Sequence, residues 1–505
     1  MQSKFNLNSL YCIKRTEIKQ FICIALMMFC ILFTQNIIRA AKDSVVNTMI
    51  GVEVVSFIKI YVVVPASILF IIFYIKLITK VKANKIFYGI LSSFAIFFLV
   101  FGFIIFPNLD FFHPDEAIIQ DLILKMPNLK WFILLLSNWS LSLFYTIVEL
   151  WPTVVFNLLC WQFINNITTV EQSRRFYILF GLITQTGMII SGQLLMNSEK
   201  ITDYFINKFN LLYTKNIIFI QCITLAAVLF CILTMLFFWI INNKILPKVI
   251  KKEENIVSEA QQLKAQKKHL TLRESLIYIA KSRYIMLITV MLLCYGISIN
   301  LIESPWKAIA VTKYSTPEKY AEFVGGYLRD SGILTIILVL FGFFIIRIFG
   351  WKAGAIFTPL AMFITGGMFF IANKISYDNY IFKLFAMQDQ IGLVIFAGTI
   401  QNIITKSSKY TLFDSTKEML YVPLELEMKT KGKAAADLIG SKLGKSVASF
   451  FQSLIFIFYP NSTYIELMDY FMVCFFITCI IWFYTVHILN KDYLQLSKEK
   501  EQISN

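Results

Sequence analysis

Residues 21–43 read FICIALMMFCILFTQNIIRAAKD, an apolar run of membrane-spanning length that closes on three charges, Arg39, Lys42 and Asp43. Outward from this stretch, runs of the same kind recur along nearly all of the 505 residues, and several carry charges of their own. Lys59 opens the second run, Glu149 lies inside the fourth, Glu303 ends the seventh, and Lys442 and Lys445 enter the eleventh. A helical span needs about 20 mostly apolar residues. An ionised group held at membrane depth costs at least about 2.5 kcal/mol, so it normally faces a polar cavity or an opposite charge and marks a solute pathway. The chain therefore reads as an all-α polytopic membrane protein that moves a solute.

Composition excludes the soluble classes. With 57% hydrophobic and 15% charged residues and a mean hydropathy of +0.67, the mass belongs in a bilayer. The net charge of +16 does not call for a nucleic-acid partner, because the basic residues follow topology. With a cytoplasmic amino terminus, Lys14, Arg15 and Lys19, the run Lys76 to Lys85, Arg174 and Arg175, and the cluster from Lys244 to Arg283 all fall on the cytoplasmic side, whereas 110–121 has no Lys or Arg. The nine cysteines form no CxxC pair, and His113, His269 and His487 are too far apart in sequence for a metal site. No metal or cofactor is expected. The first twenty residues show no signal-peptide cleavage pattern, so a bacterial inner membrane is the expected location, with both termini cytoplasmic.

Apolar runs between charge clusters predict twelve transmembrane helices near 21–38, 58–78, 87–106, 132–162, 176–197, 217–241, 284–303, 326–346, 353–373, 390–405, 434–459 and 467–489. The fourth is too long for one upright helix, which leaves a strong tilt, a kink near Pro152 or an interfacial turn around Trp131. The polar stretch 244–283 divides the chain into two six-helix halves, 21–243 and 284–489, flanked by cytoplasmic ends 1–20 and 490–505. That is the major-facilitator plan, whose site lies between the halves near the midplane.

Among the embedded charges, Arg39, Lys42 and Asp43 share one helical face, where an Arg39–Asp43 pair would leave Lys42 as spare positive charge. Snorkelling to headgroups is the plainer account of that group and of Lys59. Glu149 has no basic neighbour in its own span, so it must be protonated, paired across helices or open to water. Glu303 has Lys307 four residues on, a local pair, with Pro305 arguing for a helix break that exposes backbone to a cavity. Gly440–Ser–Lys–Leu–Gly–Lys–Ser446 is one residue short of a P-loop and follows no strand. Its small residues either admit an anion beside Lys442 and Lys445 or pack helices together. Lys406 to Lys433 reads mainly as positive-inside sequence at the cytoplasmic mouth. Basic residues in or at spans outnumber the acidic ones that neutralise them most simply, which favours an anionic solute such as a nucleotide polyphosphate.

These residues resemble the bacterial and plastidic nucleotide translocases, the ATP:ADP antiporters of obligate intracellular bacteria. The likeness runs from about residue 20 to 490 through Ile38–Arg–Ala–Ala–Lys–Asp43, Phe57–Ile–Lys–Ile–Tyr61, Glu149–Leu–Trp151, Phe163–Ile–Asn–Asn–Ile–Thr168, Tyr295 to Glu303 with Trp306–Lys307, Lys409–Tyr–Thr–Leu–Phe–Asp414, and Leu443–Gly–Lys–Ser446. The resemblance implies a twelve-span carrier that exchanges host ATP for bacterial ADP without hydrolysis. It places the transport charges on Lys59, Glu149, Glu303 and Lys445, with Arg39, Lys42 and Asp43 as neighbours. The lysines and Arg39 would bind phosphate, and Glu149, Glu303 and Asp43 would gate or couple. Pro152, Val447 and Ala448 stand where the family has glycine. Family members also include carriers of GTP/GDP, CTP or UTP, and proton-coupled net import is the alternative to exchange.

Overall fold

A computed structural model describes residues 13–210, 212–246, 282–375, 389–425, 428, 432–437, 440 and 444–504. Among these residues, nine helices are long and apolar enough to cross a membrane. In the first half they are α1 (Ile18–Met49), α2 (Val54–Lys80), α3 (Ala83–Phe112), α4 (Trp139–Ile167), α5 (Glu171–Leu195) and α6 (Lys215–Ile245). The second half opens with α7 (Arg283–Lys313). A long helix, Pro317–Ala372, follows and is divided at Gly350, giving α8 (317–349) and α9 (351–372). Gly350 has φ +79°, a left-handed conformation that a side chain would strain. Then come α10 (Gln390–Ser408), α11 (Gly444–Phe458) and α12 (Met468–Ser504). Residues 317–349, α10 and α11 occupy the places of the three other expected spans. Most of the 244–283 linker and Lys442 lie outside the described residues, and the stretch after 489 continues α12 as helix.

Local chemistry explains several boundaries. Thr169 and Gln172 form a reciprocal capping box that starts α5. Asp389 caps α10 by accepting from the Gly392 N–H. The expected span 132–162 is really two pieces, because a short helix, Lys130–Ser137, ends at Asn138 before α4 begins. Pro152 does not break α4. The helix widens to π geometry over Pro152–Trp161, a way of absorbing the carbonyl that proline leaves without a donor. Pro65 is accommodated similarly: the preceding segment Ile58–Val63 is π-helical, with Val64 N–H reaching the Lys59 carbonyl. By contrast, the expected break at Pro305 is absent, since α7 runs through it as one helix packed on α10, α11 and α12.

Exposure is inverted relative to a soluble protein. Ile68, Ile72 and Ile75 on α2 and Val473, Ile477 and Tyr484 on α12 present apolar stripes outward, as lipid-facing helices do. The buried interior holds amides and hydroxyls: Gln401, Asn402, Thr405, Ser407 and Ser408 on α10 are almost wholly enclosed.

The two halves meet on the side where α1 ends. There Asn47 Nδ2 donates to the Tyr320 hydroxyl at 3.1 Å, and Ser198 Oγ donates to the Glu318 carbonyl at 3.0 Å. Gly192 on α5 packs against Gly325 on α8 so tightly that a Cβ on Gly192 would lie 2.6 Å from the Gly325 carbonyl oxygen. On the opposite, amino-terminal side the ion pairs Arg175–Glu17 and Lys417–Asp437 each stay within one half. Among the described residues the contacts that join the halves at an end of the helices are those on the side of Asn47.

Candidate functional site

Between the halves lies a cavity with about 610 Å³ of empty volume, counting the part open to solvent. Arg39, Asp43, Glu303, Lys307 and Lys406 line it. They sit on α1, α7 and α10. Glu149 is added from α4, so the charged core is drawn from the first and fourth helices of each half.

The charges form a continuous alternating chain. Lys42 Nζ lies 2.9 Å from Glu149 Oε1 and 2.5 Å from Asp43 Oδ1. The other Asp43 oxygen meets Lys307 Nζ at 2.8 Å. Lys307 also reaches Glu303 Oε1 at 3.1 Å, and Lys406 approaches the same oxygen at 3.7 Å. Read in order, Glu149, Lys42, Asp43, Lys307, Glu303 and Lys406 alternate in sign from α4 to α10. The step between Asp43 and Lys307 crosses from the first half to the second. Each charge at this depth would be costly alone; in the chain the four inner members have two partners each, and only loss of Lys42 or Glu303 strands an end member.

Three expectations need correction. Arg39 and Asp43 are not a direct ion pair: Asp43 is already taken by Lys42 and Lys307, although Arg39 still feels Glu149, Glu303 and Asp43 electrostatically. Lys42 is not a spare cation. It is 1% exposed, lies over the Tyr145 ring at 3.6 Å and is held by two carboxylates, as a lysine so enclosed must be. Lys406 is not at the mouth of the protein. The helix does not stop at residue 405 but continues through Lys409–Phe413 and Asp414–Leu420, which places Lys406 within the cavity, hydrogen-bonded to the Tyr327 hydroxyl.

The remaining expected residues are brought to the same place. Lys59, in the π segment of α2, reaches Asn300 Oδ1 on α7 at 3.4 Å. Its charge interacts with Glu303 and Glu149. Lys445 on α11 is exposed, and its charge acts on Arg39, Glu303 and Glu149, which ties it electrostatically to the same cluster. The glycines around it serve as helix-packing residues: a Cβ on Gly296 would lie 2.9 Å from the Gly444 backbone. Close approach of α7 and α11 thus sets where Lys445 emerges. In the sequence Lys307 presents itself only as a local partner of Glu303. In the sequence Lys406 reads as positive-inside charge at the cytoplasmic mouth, and Tyr145 and Asn300 carry no signal of their own. The buried polar face around Lys406 was the clue to its depth.

Counted over the described residues, Arg39, Lys42, Lys59, Lys307, Lys406 and Lys445 face Asp43, Glu149 and Glu303, an excess of three positive charges. Outside the spans, Glu53 is buried at the sealed face and accepts from the Tyr464 backbone N–H of the second half at 3.3 Å. Burial pushes its carboxyl above the usual range, more than its hydrogen bonds and Lys130 pull it down.

Helices, halves and cavity define a membrane carrier of the major-facilitator type. The same fold is found in a bacterial homologue of the iron transporter ferroportin in its inward-facing state, which is 13% identical with a TM-score of 0.57 over 96% of this chain and 98% of that one. The nucleoside transporter NupG shares it at 10% identity, TM-score 0.51, covering 94% and 99%. Within that class the chain belongs to the TLC ATP/ADP transporter family, whose model matches residues 2–493. It is 50% identical to "ADP,ATP carrier protein 4" of Rickettsia conorii over 482 residues, covering 95% of this chain and 93% of the relative. It is 41% identical to "ADP,ATP carrier protein 3" of Rickettsia typhi over 495 residues, covering 96% and 97%.

Proposed function

We propose that this protein exchanges ATP for ADP across a bacterial inner membrane by alternating access, without hydrolysing either nucleotide. The observation that carries the reading is the positive excess lodged in a cavity between two halves, within a chain of this family. A nucleoside di- or triphosphate supplies a comparable negative charge. Arg39, Lys59 and Lys445 are its phosphate ligands, assisted by Lys307 and Lys406. Lys42 serves mainly to hold Glu149 and Asp43 in register. The amino-terminal side, rich in lysine and arginine, is cytoplasmic, and both termini lie there.

Exchange follows from competition. When the cavity is empty, Asp43 and Glu303 occupy Lys307 and Lys406, and the uncompensated cations make reorientation costly. An entering polyphosphate takes over those cations, loosens the Asp43–Lys307 link between the halves and lowers the cost of opening the sealed face. Glu149, Glu303 and Asp43 are thus gating and coupling groups rather than ligands.

The test is uptake of labelled ATP into vesicles containing the purified protein, loaded with ADP or left empty, with other nucleotides as competitors. Uptake that depends on internal ADP and leaves ATP intact is expected. Equal accumulation in empty vesicles would refute exchange, and release of free phosphate would refute the non-hydrolytic reading.

A further inference from the structure

Arg39 belongs to a longer polar stripe on α1. One turn toward the amino-terminal side, Gln35 and Asn36 line the same cavity. Seven residues separate Gln35 from Lys42, about 10 Å along a helix, and the order is amides, guanidinium, then ion-paired core. Among the described residues neither amide side chain has a hydrogen-bond partner, and Gln35 Oε1 is buried without one. The enclosed amides elsewhere differ in their donors, which are all engaged, although the oxygens of Asn47, Gln401 and Asn402 are likewise buried without a partner. Asn300 donates to the Gly296 carbonyl, Asn402 to the Gly398 carbonyl and Gln452 to the Asn300 carbonyl. A buried amide oxygen with no partner costs roughly 1–3 kcal/mol, so two idle amides beside a cation-rich cavity call for a ligand that supplies both donors and acceptors.

The same lining also offers apolar surface for a flat ring. Tyr410, in the Lys409–Phe413 continuation of α10, lines the cavity and is 47% exposed, with Lys409 Nζ 4.6 Å from its ring centre. Met188 on α5 lines it as well, a polarisable side chain that adapts to aromatic surfaces. An exposed tyrosine, a methionine and two free amides are what a heterocyclic base requires: faces to stack on and an edge to pair with.

We propose that Gln35 and Asn36 form the nucleobase subsite of this carrier, with Tyr410 and Met188 as its apolar walls. The phosphates then lie one turn deeper, at Arg39 and the lysines. This rests on the nucleotide reading above and adds where the base is held and by what chemistry. A primary amide presents one donor and one acceptor side by side, matching the adjacent donor and acceptor on the edge of a base. A bare polyphosphate offers nothing to it. The base therefore contributes to affinity through α1.

The experiment is competition against labelled ATP uptake in ADP-loaded vesicles, comparing unlabelled ATP with inorganic tripolyphosphate, for the wild type, Gln35→Leu, Asn36→Leu and the double variant. Wild type is expected to bind ATP at least about tenfold more tightly than tripolyphosphate, about 1.4 kcal/mol. The double variant should bring that ratio to within about threefold, mostly by weakening ATP. Variants that keep the wild-type ratio would overturn the proposal. So would a wild type that does not distinguish the two competitors, although binding of polyphosphate would then survive. If neither competes with wild type, the nucleotide reading itself fails. Should the leucine variants not fold, photolabelling of wild type with 8-azido-ATP is the second measurement. Adducts on the Gln35–Arg39 stretch or on Tyr410 support the subsite, and adducts confined to other helices refute it.

Discussion

Asp43 Oδ2 and Lys307 Nζ lie 2.8 Å apart and join the first helix of one half to the first helix of the other. Both side chains are nearly enclosed, at 8% and 12% exposure, so the contact is a desolvated ion pair. It is also the middle step of a six-member chain of alternating charge. A carrier that rocks must break such a contact once per half-cycle, and its partners on each side, Lys42 and Glu303, are positioned to receive the released charges.

Asp43→Asn should therefore lower both stability and exchange. The substitution leaves Lys42 with Glu149 and Lys307 with Glu303, so the loss is expected to be below the roughly 3–5 kcal/mol of an isolated buried pair. Combining it with Lys307→Gln removes both charges and should restore part of the melting temperature while exchange stays low. A double-mutant cycle on melting and on uptake measures this. Additive effects on stability would show that the two residues do not act as a pair.

Lys445 forms no ion pair among the described residues, so its loss strands no carboxylate. Lys445→Gln should raise the KM for nucleotide about tenfold, about 1.4 kcal/mol, with little change in melting temperature. Lys406→Gln should raise KM and also loosen Glu303, which Lys406 approaches at 3.7 Å. The two variants separate when KM and thermal stability are measured together. A destabilised Lys445→Gln protein would place that lysine in the packing instead.

Glu53 makes the sealed face sensitive to pH. Its carboxyl is raised by burial, so between the ordinary carboxylate value and the raised one the sealed form holds a proton that the opened or unfolded form has released. Stability of the seal is therefore fully present at low pH and falls as pH rises through that window. Glu53→Gln mimics the protonated group and keeps an oxygen for the Tyr464 N–H. Its melting temperature should change less than that of wild type as pH rises from about 4.5, the ordinary carboxylate value where the window begins. Equal slopes for the two proteins would remove Glu53 from the seal.

Much of this architecture was legible in the residues. Glu149 announced itself, because a carboxylate without a basic neighbour in its own span needs a partner on another helix, and Lys42 supplies it at 2.9 Å. The charged motifs also single out Lys59, Glu303 and Lys445. The identity of each partner was not legible. Helical spacing favoured Arg39–Asp43, four residues apart, over the adjacent Lys42–Asp43, and the pairing of Asp43 with Lys42 and with Lys307 from another helix overturns it. Lys406 was misplaced for a different reason. Hydropathy marks lipid contact, and α10 around Lys406 buries Gln401, Asn402, Thr405, Ser407 and Ser408 against protein, so the apolar run ends before the helix does. Pro305 misled because a proline inside α7 loses one backbone bond, a cost that packing on three neighbouring helices can offset.

The seal on the side of Asn47 rests on glycine, which gives the sharpest test of alternating access. A Cβ at Gly192 would stand 2.6 Å from both the Arg329 nitrogen and the Gly325 carbonyl oxygen, and one at Gly325 would stand 2.7 Å from the Gly192 oxygen. These are backbone atoms on helices of opposite halves, so no side-chain rotation relieves the clash. The halves must separate there instead. Gly192→Val is thus expected to disfavour the sealed conformation by about 1–3 kcal/mol. Each 1.4 kcal/mol is a tenfold shift in population toward the form open on that side. In a cysteine-free background, Met188→Cys reports the change, since a membrane-impermeant maleimide added on the Asn47 side reaches the cavity only when the seal is parted. Labelling should rise severalfold with Gly192→Val, while Gly89→Ala, where a Cβ meets nothing within 4 Å, should leave it unchanged. If labelling is the same in both backgrounds, the α5–α8 glycine contact is not the gate, and the halves must close elsewhere.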